Sequence, residues 1–239
     1  MSACYNNIML IFLDTETTGL EDADRICSIG LIVYDEGTAT PYYELIKPPR
    51  KTKPEASAVH HITNEMLKDK KVFKASYMYT LLQQLNTQDN VLISHNIHFD
   101  LKMLKKEGFV WQGGIIDTLK CVRHLIPECE QFSLQYLRYE LQLYKYEKND
   151  LEIAVQAHNA LSDALHVKLL YEYLLEMSNQ DELEELTMKN VLLSKFSFGK
   201  YKGRYIEEIA MHERGYLEWM LHNMQDIDDD LRYSLEYWL

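Results

Sequence analysis

Short runs rich in apolar residues, one of them (Pro41–Ile46) alternating with polar positions, recur along the chain and predict the strands of a sheet. Turn residues separate the first three runs, and helical patterns separate the later ones. The five runs are Ile8–Leu13, Arg25–Tyr34, Pro41–Ile46, Val91–Ser94 and Gly114–Ile116. Three strands joined by short turns form a meander, whereas strands that alternate with helices extend the sheet through crossovers. The pattern therefore predicts an α/β fold with a mixed five-stranded sheet flanked by helices.

Apolar residues at helical spacing predict helices around these strands. The predicted helices are Pro54–Ile62, Lys71–Leu85, His98–Glu107, Asp117–Ile126, a segment around Leu134–Leu143 and Asn159–Met177. Pro54 suits the first helical turn, where its missing N–H is no loss. Asn159 is predicted to cap the last helix, because Asn favours the position before a first turn.

The chain changes character after residue 177. Residues 178–188 are acidic and lack aromatic side chains, which indicates a linker or a peripheral helix. The composition changes again at Phe196, where the sequence FSFGKYKGRY begins. We therefore expect three parts: a main domain over residues 1–177, a linker or peripheral helix over 178–195, and a small C-terminal module over 196–239.

The composition is that of an ordinary globular protein. Of the 239 residues, 46% are hydrophobic and 26% are charged. The longest apolar run is too short to span a bilayer, and it lacks the pattern of a signal peptide, so we expect a cytoplasmic protein with no membrane partner. Four scattered cysteines form no C-x-x-C pair, which fits a reducing compartment: Cys4, Cys27, Cys121 and Cys129.

The net charge of −12 argues, taken alone, against a nucleic-acid partner. Basic residues are nevertheless clustered in three places, at residues 47–53, 68–74 and 195–204. Local patches matter more for contact with phosphates than the global sum does. Composition therefore leaves a nucleic-acid partner open.

Two acids end the first apolar run. Asp14 follows it directly, and Glu16 lies two residues further on. Residues i and i+2 of a strand face the same side, so both carboxylates are predicted to point at one place. Two such anions repel each other unless a cation lies between them, and hard oxygen ligands suit Mg²⁺ or Mn²⁺. Taken alone, the pair is more typical of two solvated acids at the end of a strand.

Three further residues join this pair as candidates. Asp100 lies in the first turn of a helix that follows a buried strand, the place where ligands collect in open α/β sheets. His158 and Asp163 flank the start of the last helix, and five residues correspond to ~140° around it. Their side chains therefore cannot share one helical face. This arrangement suits a metal ligand on the helix and a base on the loop before it.

At this point the sequence resembles the DnaQ-like, or DEDDh, 3′→5′ exonucleases. FLDTETTGL (12–20) is similar to their first motif, HNIHFD (95–100) to their second and HNALSDA (158–164) to their third. VHHIT (59–63) resembles a segment in which Gly is common at the third position, and IIDTL (115–119) matches a recurring stretch. Five motifs in order make the resemblance specific over residues 8–177.

The resemblance implies an RNase H-like exonuclease fold and metal-dependent hydrolysis of terminal phosphodiesters to nucleoside 5′-monophosphates. The metal ligands would be Asp14, Glu16, Asp100 and Asp163, which would hold two Mg²⁺ or Mn²⁺ ions. His158 would be the general base, because imidazole titrates close to neutral pH. Together these five are the predicted catalytic residues, and Asp117 is expected to be a helix cap instead.

The same resemblance suggests residues that hold the substrate. They are Thr15, Thr18, Leu20, His95, Asn96 and Phe99. Leu20 would wedge under the terminal base with Phe99 nearby, and His95 and Asn96 would reach the sugar or phosphate. For Leu20 and Phe99, ordinary core packing explains the apolar residue equally well.

The tail beginning at Phe196 resembles the C-terminal segment of the exodeoxyribonuclease X group within this family. Its basic, aromatic-interleaved loop GKYKGR (199–204) suits contact with a DNA backbone, although solvated lysines in a hairpin explain it equally well. The resulting prediction is a DNA exonuclease acting on single-stranded or frayed 3′ ends in repair or recombination. The alternatives are a ribonuclease that trims RNA ends, a polymerase proofreading subunit, and a binding module without catalysis.

Overall fold

The computed structural model describes residues 8–149, 159–224 and 227–239. Its sheet has five strands in the order β3-β2-β1-β4-β5. The strands are β1 (Leu10–Thr17), β2 (Ile26–Asp35), β3 (Thr38–Leu45), β4 (Val91–Ser94) and β5 (Gly114–Asp117). The first three form the predicted antiparallel meander, and β4 and β5 join β1 in parallel. The prediction of a mixed five-stranded sheet is confirmed.

Strand β1 is longer than its apolar run. It continues through both acids to Thr17, and a register shift against β2 falls between Glu16 and Thr17. Pairing with β2 holds the backbone extended although the side chains have become polar, and Asp14 lies opposite Gly30 in the register. Asp14 and Glu16 are therefore fixed on a strand and do not lie in a loop after it.

Eleven α-helices and two 3₁₀ segments surround the sheet in the described residues. The helices before the last long one are α1 (Pro54–His60), α2 (Asn64–Leu67), α3 (Tyr77–Leu85), α4 (Ile97–Lys106), α5 (Thr118–Leu125) and α6 (Leu134–Glu140). The remaining ones are α7 (Ala160–Leu174), α8 (Gln180–Met188), α9 (Ile206–His212), α10 (Arg214–Asn223) and α11 (Asp229–Trp238). The two 3₁₀ segments are Phe73–Ala75 and Leu143–Asn149.

The single helix predicted over Lys71–Leu85 is wrong in its first third. A 3₁₀ turn occupies Phe73–Ala75, and α3 begins only at Tyr77. Ser76 separates the two because its hydroxyl accepts the N–H of Tyr79, which makes Ser76 an N-cap. The helix predicted around Leu134–Leu143 likewise ends at Glu140.

Both faces of the sheet are covered. One core cluster packs α5, α6 and α7 against the sheet, and the other packs α3 and α4 against the opposite face. Helix α7 lies across β1 and β2, with its first residues directly on Gly30. The predicted linker region contains α8, which buries Leu183 and Thr187 against β5 and α5.

The chain ends in three helices with an apolar cluster of their own. Phe196, Ile206, Leu217 and Leu235 are among the residues buried in it. We refer to residues 196–239 as the C-terminal module. Within the described residues, no helix is both long and apolar enough to cross a bilayer. Cys27, Cys121 and Cys129 are free thiols, and Cys4 lies outside the described residues.

Candidate active site

Two carboxylates on β1 meet a third one from α7. Asp14 and Glu16 alternate along the strand with buried Thr15 and so face the same side. Asp163 lies in the first turn of α7. One oxygen from each of the three carboxylates lies within 4.8 Å of the others. The fold therefore brings together acids that are about 150 residues apart in sequence.

Asp163 reaches β1 because α7 begins directly on the sheet. The Asn159 side chain accepts the N–H of Leu161 and caps the helix. Beneath this end lies Gly30, where a Cβ atom would stand only 2.3 Å from the backbone of Ala160. Glycine in a strand interior marks such a close approach of another backbone. Asp163, one turn beyond Ala160, is thereby placed beside the strand that carries the other acids.

The fourth carboxylate, Asp100, is buried in the first turn of α4, with 3% of its surface exposed. Thr15 donates its hydroxyl to Asp100 Oδ1 at 2.6 Å, and Ser94 donates to Oδ2 at 2.6 Å. Thr15 lies between the two acids of β1, so Asp100 is fixed to the same strand. The structure thus places all four predicted acids at one end of the sheet.

Burial and mutual repulsion make these carboxylates weak acids. Burial, followed by the charges of Asp100, Asp163 and Glu16, raises the pKa of Asp14 well above its usual value. Burial, followed by the charges of Asp163 and Asp100, raises the pKa of Glu16 to about 8. Burial raises the pKa of Asp100 to about 7, although its hydrogen bonds from Ser94 and Thr15 act in the opposite direction. A bound cation would remove this repulsion.

The donor set fits a hard divalent cation. Such ions are bound by carboxylate oxygens, and three of these already lie close enough together to share one. Burial raises the pKa values of Asp14, Glu16 and Asp100, and the charges of neighbouring acids add to this, so their ionised forms are unfavourable until a cation binds. We conclude that these carboxylates form a candidate metal centre.

Metal affinity is expected to fall as the pH drops from 8 to 6. Glu16 and Asp100 hold protons up to about pH 8 and about pH 7, so a cation must displace them at lower pH. The apparent dissociation constant should rise by about tenfold per pH unit for each proton released. Calorimetric titration with Mn²⁺ measures the dissociation constant, and repeating it in buffers of different ionisation enthalpy gives the number of protons released. A dissociation constant that is the same at pH 6 and pH 8 would contradict this assignment.

A buried polar network supports Asp163 from behind. Gln135 Nε2 donates to Asp163 Oδ1 at 2.6 Å, and His166 Nδ1 lies 3.6 Å from the same oxygen. On its other side, His166 Nε2 lies 3.2 Å from Glu147 Oε1. Arg138 binds both oxygens of Glu147, at 2.6 and 2.8 Å. Sequence reasoning missed these supporting residues, although His166 lies one helical turn after Asp163 and so shares its face.

Two of the predicted substrate contacts are engaged within the protein. The Thr18 hydroxyl donates to Asp24 Oδ1 at 2.9 Å, and its N–H donates to the Arg25 carbonyl oxygen. In His95, Nδ1 lies 3.0 Å from Thr118 Oγ1, and Nε2 lies 2.7 Å from the Phe132 carbonyl oxygen. Both side chains therefore already have hydrogen-bond partners within the protein.

Thr15 likewise uses its hydroxyl on Asp100. The remaining three candidates differ in exposure. Leu20 is 82% exposed, so core packing does not explain it, and the Asn96 side chain is also exposed. Phe99 is half-buried and packs against a core cluster. Leu20 and Asn96 are thus the two of the six whose side chains are exposed.

His158, the predicted general base, lies outside the described residues. It directly precedes Asn159, the cap of the helix that carries Asp163. Asp117 caps α5 by accepting the Leu119 N–H, as predicted, and it also accepts the N–H of Asn96. Asp117 therefore holds two backbone amides and is not needed as a ligand.

The VHHIT segment anchors the end of β1. His60 Nδ1 accepts the N–H of Ile62, so the proton lies on Nε2, which donates to the Thr17 carbonyl oxygen at 3.2 Å. Burial lowers the pKa of His60 and favours this neutral form. His61 follows with φ 61°, a left-handed conformation that favours glycine. This conformation explains why Gly is common at that position.

A family model described as Exonuclease matches residues 11–171, and a second, described as Exodeoxyribonuclease X-like C-terminal, matches residues 196–225. These ranges contain the acidic cluster and the start of the C-terminal module. The chain therefore belongs to the exonuclease family, and it is an enzyme of the DnaQ-like, RNase H-like fold.

Among curated proteins, the chain is 28% identical to exodeoxyribonuclease 10 of Escherichia coli K12, over 97% of this chain and 99% of that protein. It is 31% identical to DNA polymerase III subunit epsilon of Rickettsia prowazekii, over 85% of this chain and 93% of that subunit. Among solved structures, exonuclease X in complex with 5′ overhanging duplex DNA matches with a TM-score of 0.59 and 25% identity, over 74% of this chain and 99% of that one. Escherichia coli exonuclease I in complex with a dA16 oligonucleotide shares the fold, with a TM-score of 0.55 and 18% identity over 74% of this chain and 42% of that one.

Proposed function

We propose that this protein is a metal-dependent 3′→5′ exodeoxyribonuclease that releases nucleoside 5′-monophosphates from DNA ends. The observation that carries the proposal is the convergence of Asp14, Glu16 and Asp163 within 4.8 Å, with buried Asp100 bound to the same strand. Membership of the exonuclease family supports the reaction class. The names of the relatives, an exodeoxyribonuclease and exonuclease complexes with DNA, support DNA as the substrate.

Asp14, Glu16, Asp100 and Asp163 would hold two divalent cations, Mg²⁺ or Mn²⁺. When bound, such ions lower the pKa of the attacking water and neutralise the charge on the leaving 3′-oxygen. His158 takes the proton of the attacking water, which requires a neutral imidazole near pH 7. Gln135 keeps the Asp163 oxygen in place through its hydrogen bond, and Ser94 and Thr15 do the same for Asp100. The exposed Leu20 lies beside the terminal base.

The preferred partners are single-stranded or frayed 3′ ends. The proposed domain division is residues 1–177, 178–195 and 196–239. The proposed location is the cytoplasm. A role in repair or recombination rests on the family resemblance. RNA is the alternative substrate, because metal ions held by carboxylates bind phosphate oxygens and do not distinguish RNA from DNA by the 2′-hydroxyl.

Digestion of labelled oligonucleotides tests the proposal. With a 5′ label, the wild-type protein and Mg²⁺ should give a ladder of products that shorten one nucleotide at a time. With a 3′ label, the first product should be a labelled mononucleotide, and EDTA should stop both reactions. A matched RNA strand should be degraded more slowly. Release of label from the 5′ end first, or equal rates on RNA, would contradict the assignment.

A polymerase proofreading subunit is the second candidate, because an epsilon subunit is among the relatives. In this chain the residues after 195 fold into a module with its own apolar core, and a folded module differs from a flexible docking tail. We therefore place the free exonuclease first. A binding module without catalysis would bind single strands and leave the ladder assay blank.

A further inference from the structure

A groove of about 1000 Å³ separates the main domain from the C-terminal module. Its floor includes Leu119 and Arg123 of α5. One wall is formed by residues 127–134, which connect α5 to α6, and the other by residues 193–205. None of the catalytic acids lines it. The groove is thus a separate feature from the acidic cluster.

The module wall of the groove is held in place by one buried carboxylate. Asp230 of α11 is 3% exposed, and its Oδ1 accepts the N–H of Val191 at 3.0 Å. The same carboxylate lies 3.3 Å from Lys120 Nζ and 3.7 Å from Arg123 Nη1, both on α5. The helix that forms the floor is therefore tied to the module that forms the wall. This ion-pair cluster fixes the width of the groove.

The lining of the groove includes residues that adjoin the candidate active site. His95 and Asn96, about one turn before Asp100, are among them. Leu134 also lines it, and the next residue, Gln135, donates to Asp163. A strand with its 3′ end at the acidic cluster would thus find this groove directly beside that end.

The two walls differ in charge. Lys195 and Lys202 lie on the module wall, where Lys195 Nζ is 4.8 Å from the centre of the Tyr205 ring. Tyr205 is 53% exposed and offers a face for a base. The opposite wall carries Glu128 and Glu130. Repulsion from these acids favours a phosphate backbone that runs along the lysine side.

We propose that this groove binds the DNA strand upstream of the scissile nucleotide, with phosphates at Lys195 and Lys202 and a base on Tyr205. The inference rests on the proposed function. It assigns the C-terminal module a role in binding the DNA strand, a role that hydrolysis of the terminal phosphodiester does not require. Short substrates should therefore be hydrolysed without help from the groove, whereas long single strands should depend on it.

The test compares K195Q/K202Q with the wild-type enzyme and with Lys189→Gln as a matched control. Lys189 directly follows α8, its exposed Nζ pairs with Glu185 at 3.3 Å, and it does not line the groove. KM is measured for a twelve-nucleotide oligodeoxythymidylate over a range of salt concentrations. Turnover of the p-nitrophenyl ester of thymidine 5′-monophosphate reports on the chemistry alone.

In K195Q/K202Q, KM for the oligonucleotide should rise on the order of tenfold at 0.1 M salt, and the salt slope should fall by roughly 1.4, about 0.7 for each phosphate that a lysine no longer neutralises. Turnover of the ester should stay the same in all three proteins. An unchanged salt slope in an active K195Q/K202Q enzyme, or an equal change in Lys189→Gln, would overturn the proposed role of the groove and leave the proposed function intact. A wild-type protein that hydrolyses neither substrate would overturn the proposed function.

Discussion

Replacement of Asp14 by Asn is expected to lower kcat by on the order of 10³-fold while the fold survives. Metal-ion catalysis contributes several kcal/mol of charge stabilisation in the transition state, and about 4 kcal/mol corresponds to that factor. The carboxylate lies within 4.8 Å of those of Glu16 and Asp163, so its removal takes a ligand from the centre of the set. The rate is measured on a labelled oligonucleotide at saturating Mg²⁺.

The melting temperature of the metal-free D14N protein should equal or exceed that of the wild type. Burial and the neighbouring carboxylates raise the pKa of Asp14, so its charge opposes folding when no cation is bound. Asp69→Asn, at an exposed position, is the control and should change neither quantity. A matched fall in melting temperature and activity in D14N would show that Asp14 is structural and not catalytic.

Replacement of Arg138 by Met is expected to lower the free energy of unfolding by about 3–5 kcal/mol, because it leaves a buried charge without its partner. The Glu147 side chain is only 5% exposed, and Arg138 binds both of its oxygens. Burial alone would raise the pKa of Glu147, but the hydrogen bonds and charge of Arg138 and His166 hold it below its usual value. This pair therefore stabilises the fold at neutral pH, and the stabilisation is lost as the pH falls through the lowered pKa. Urea denaturation measures the change.

The matched control is Arg214→Met, which removes a pair with Glu218 in which both side chains are more than half exposed. Such a surface pair contributes about 0–1 kcal/mol. The double variant R138M/E147L should recover part of the stability, because no buried charge is left behind. If R138M loses no more stability than Arg214→Met, the buried network does not support the site in the way described.

Much of the fold could be predicted from local pattern. Apolar runs or alternation indicate all five strands, and the placing of Asp14 and Glu16 on one side follows from the period of two along a strand. The structure departs from the sequence pattern at the ends of elements, because a neighbouring strand or side chain determines where each element begins or ends. Strand β1 passes through its acids because β2 pairs with it as far as Thr17, and α3 starts late because Ser76 caps it.

The supporting residues of the site could not be predicted in the same way. Gln135 is 28 residues from Asp163 in sequence, and Glu147 is 19 residues from His166. No period or spacing connects them, since these side chains meet only after α6 and α7 have packed together. The partners of His95 could not be predicted either, although its place in a catalytic motif suggests a substrate contact. Its ring joins Thr118 to the loop at Phe132.

Because Gly30 has no Cβ atom, the geometry of the site depends on how closely the backbone of α7 packs on the sheet. Two of the acids lie on a strand of the sheet, and one lies on a helix packed so closely on it that a Cβ atom at Gly30 would stand 2.3 Å from the helix backbone. The distance between the carboxylates is thus set by backbone against backbone, which is far stiffer than any contact between side chains. Loops around the site are therefore free to diverge among relatives without altering the spacing on which the chemistry depends.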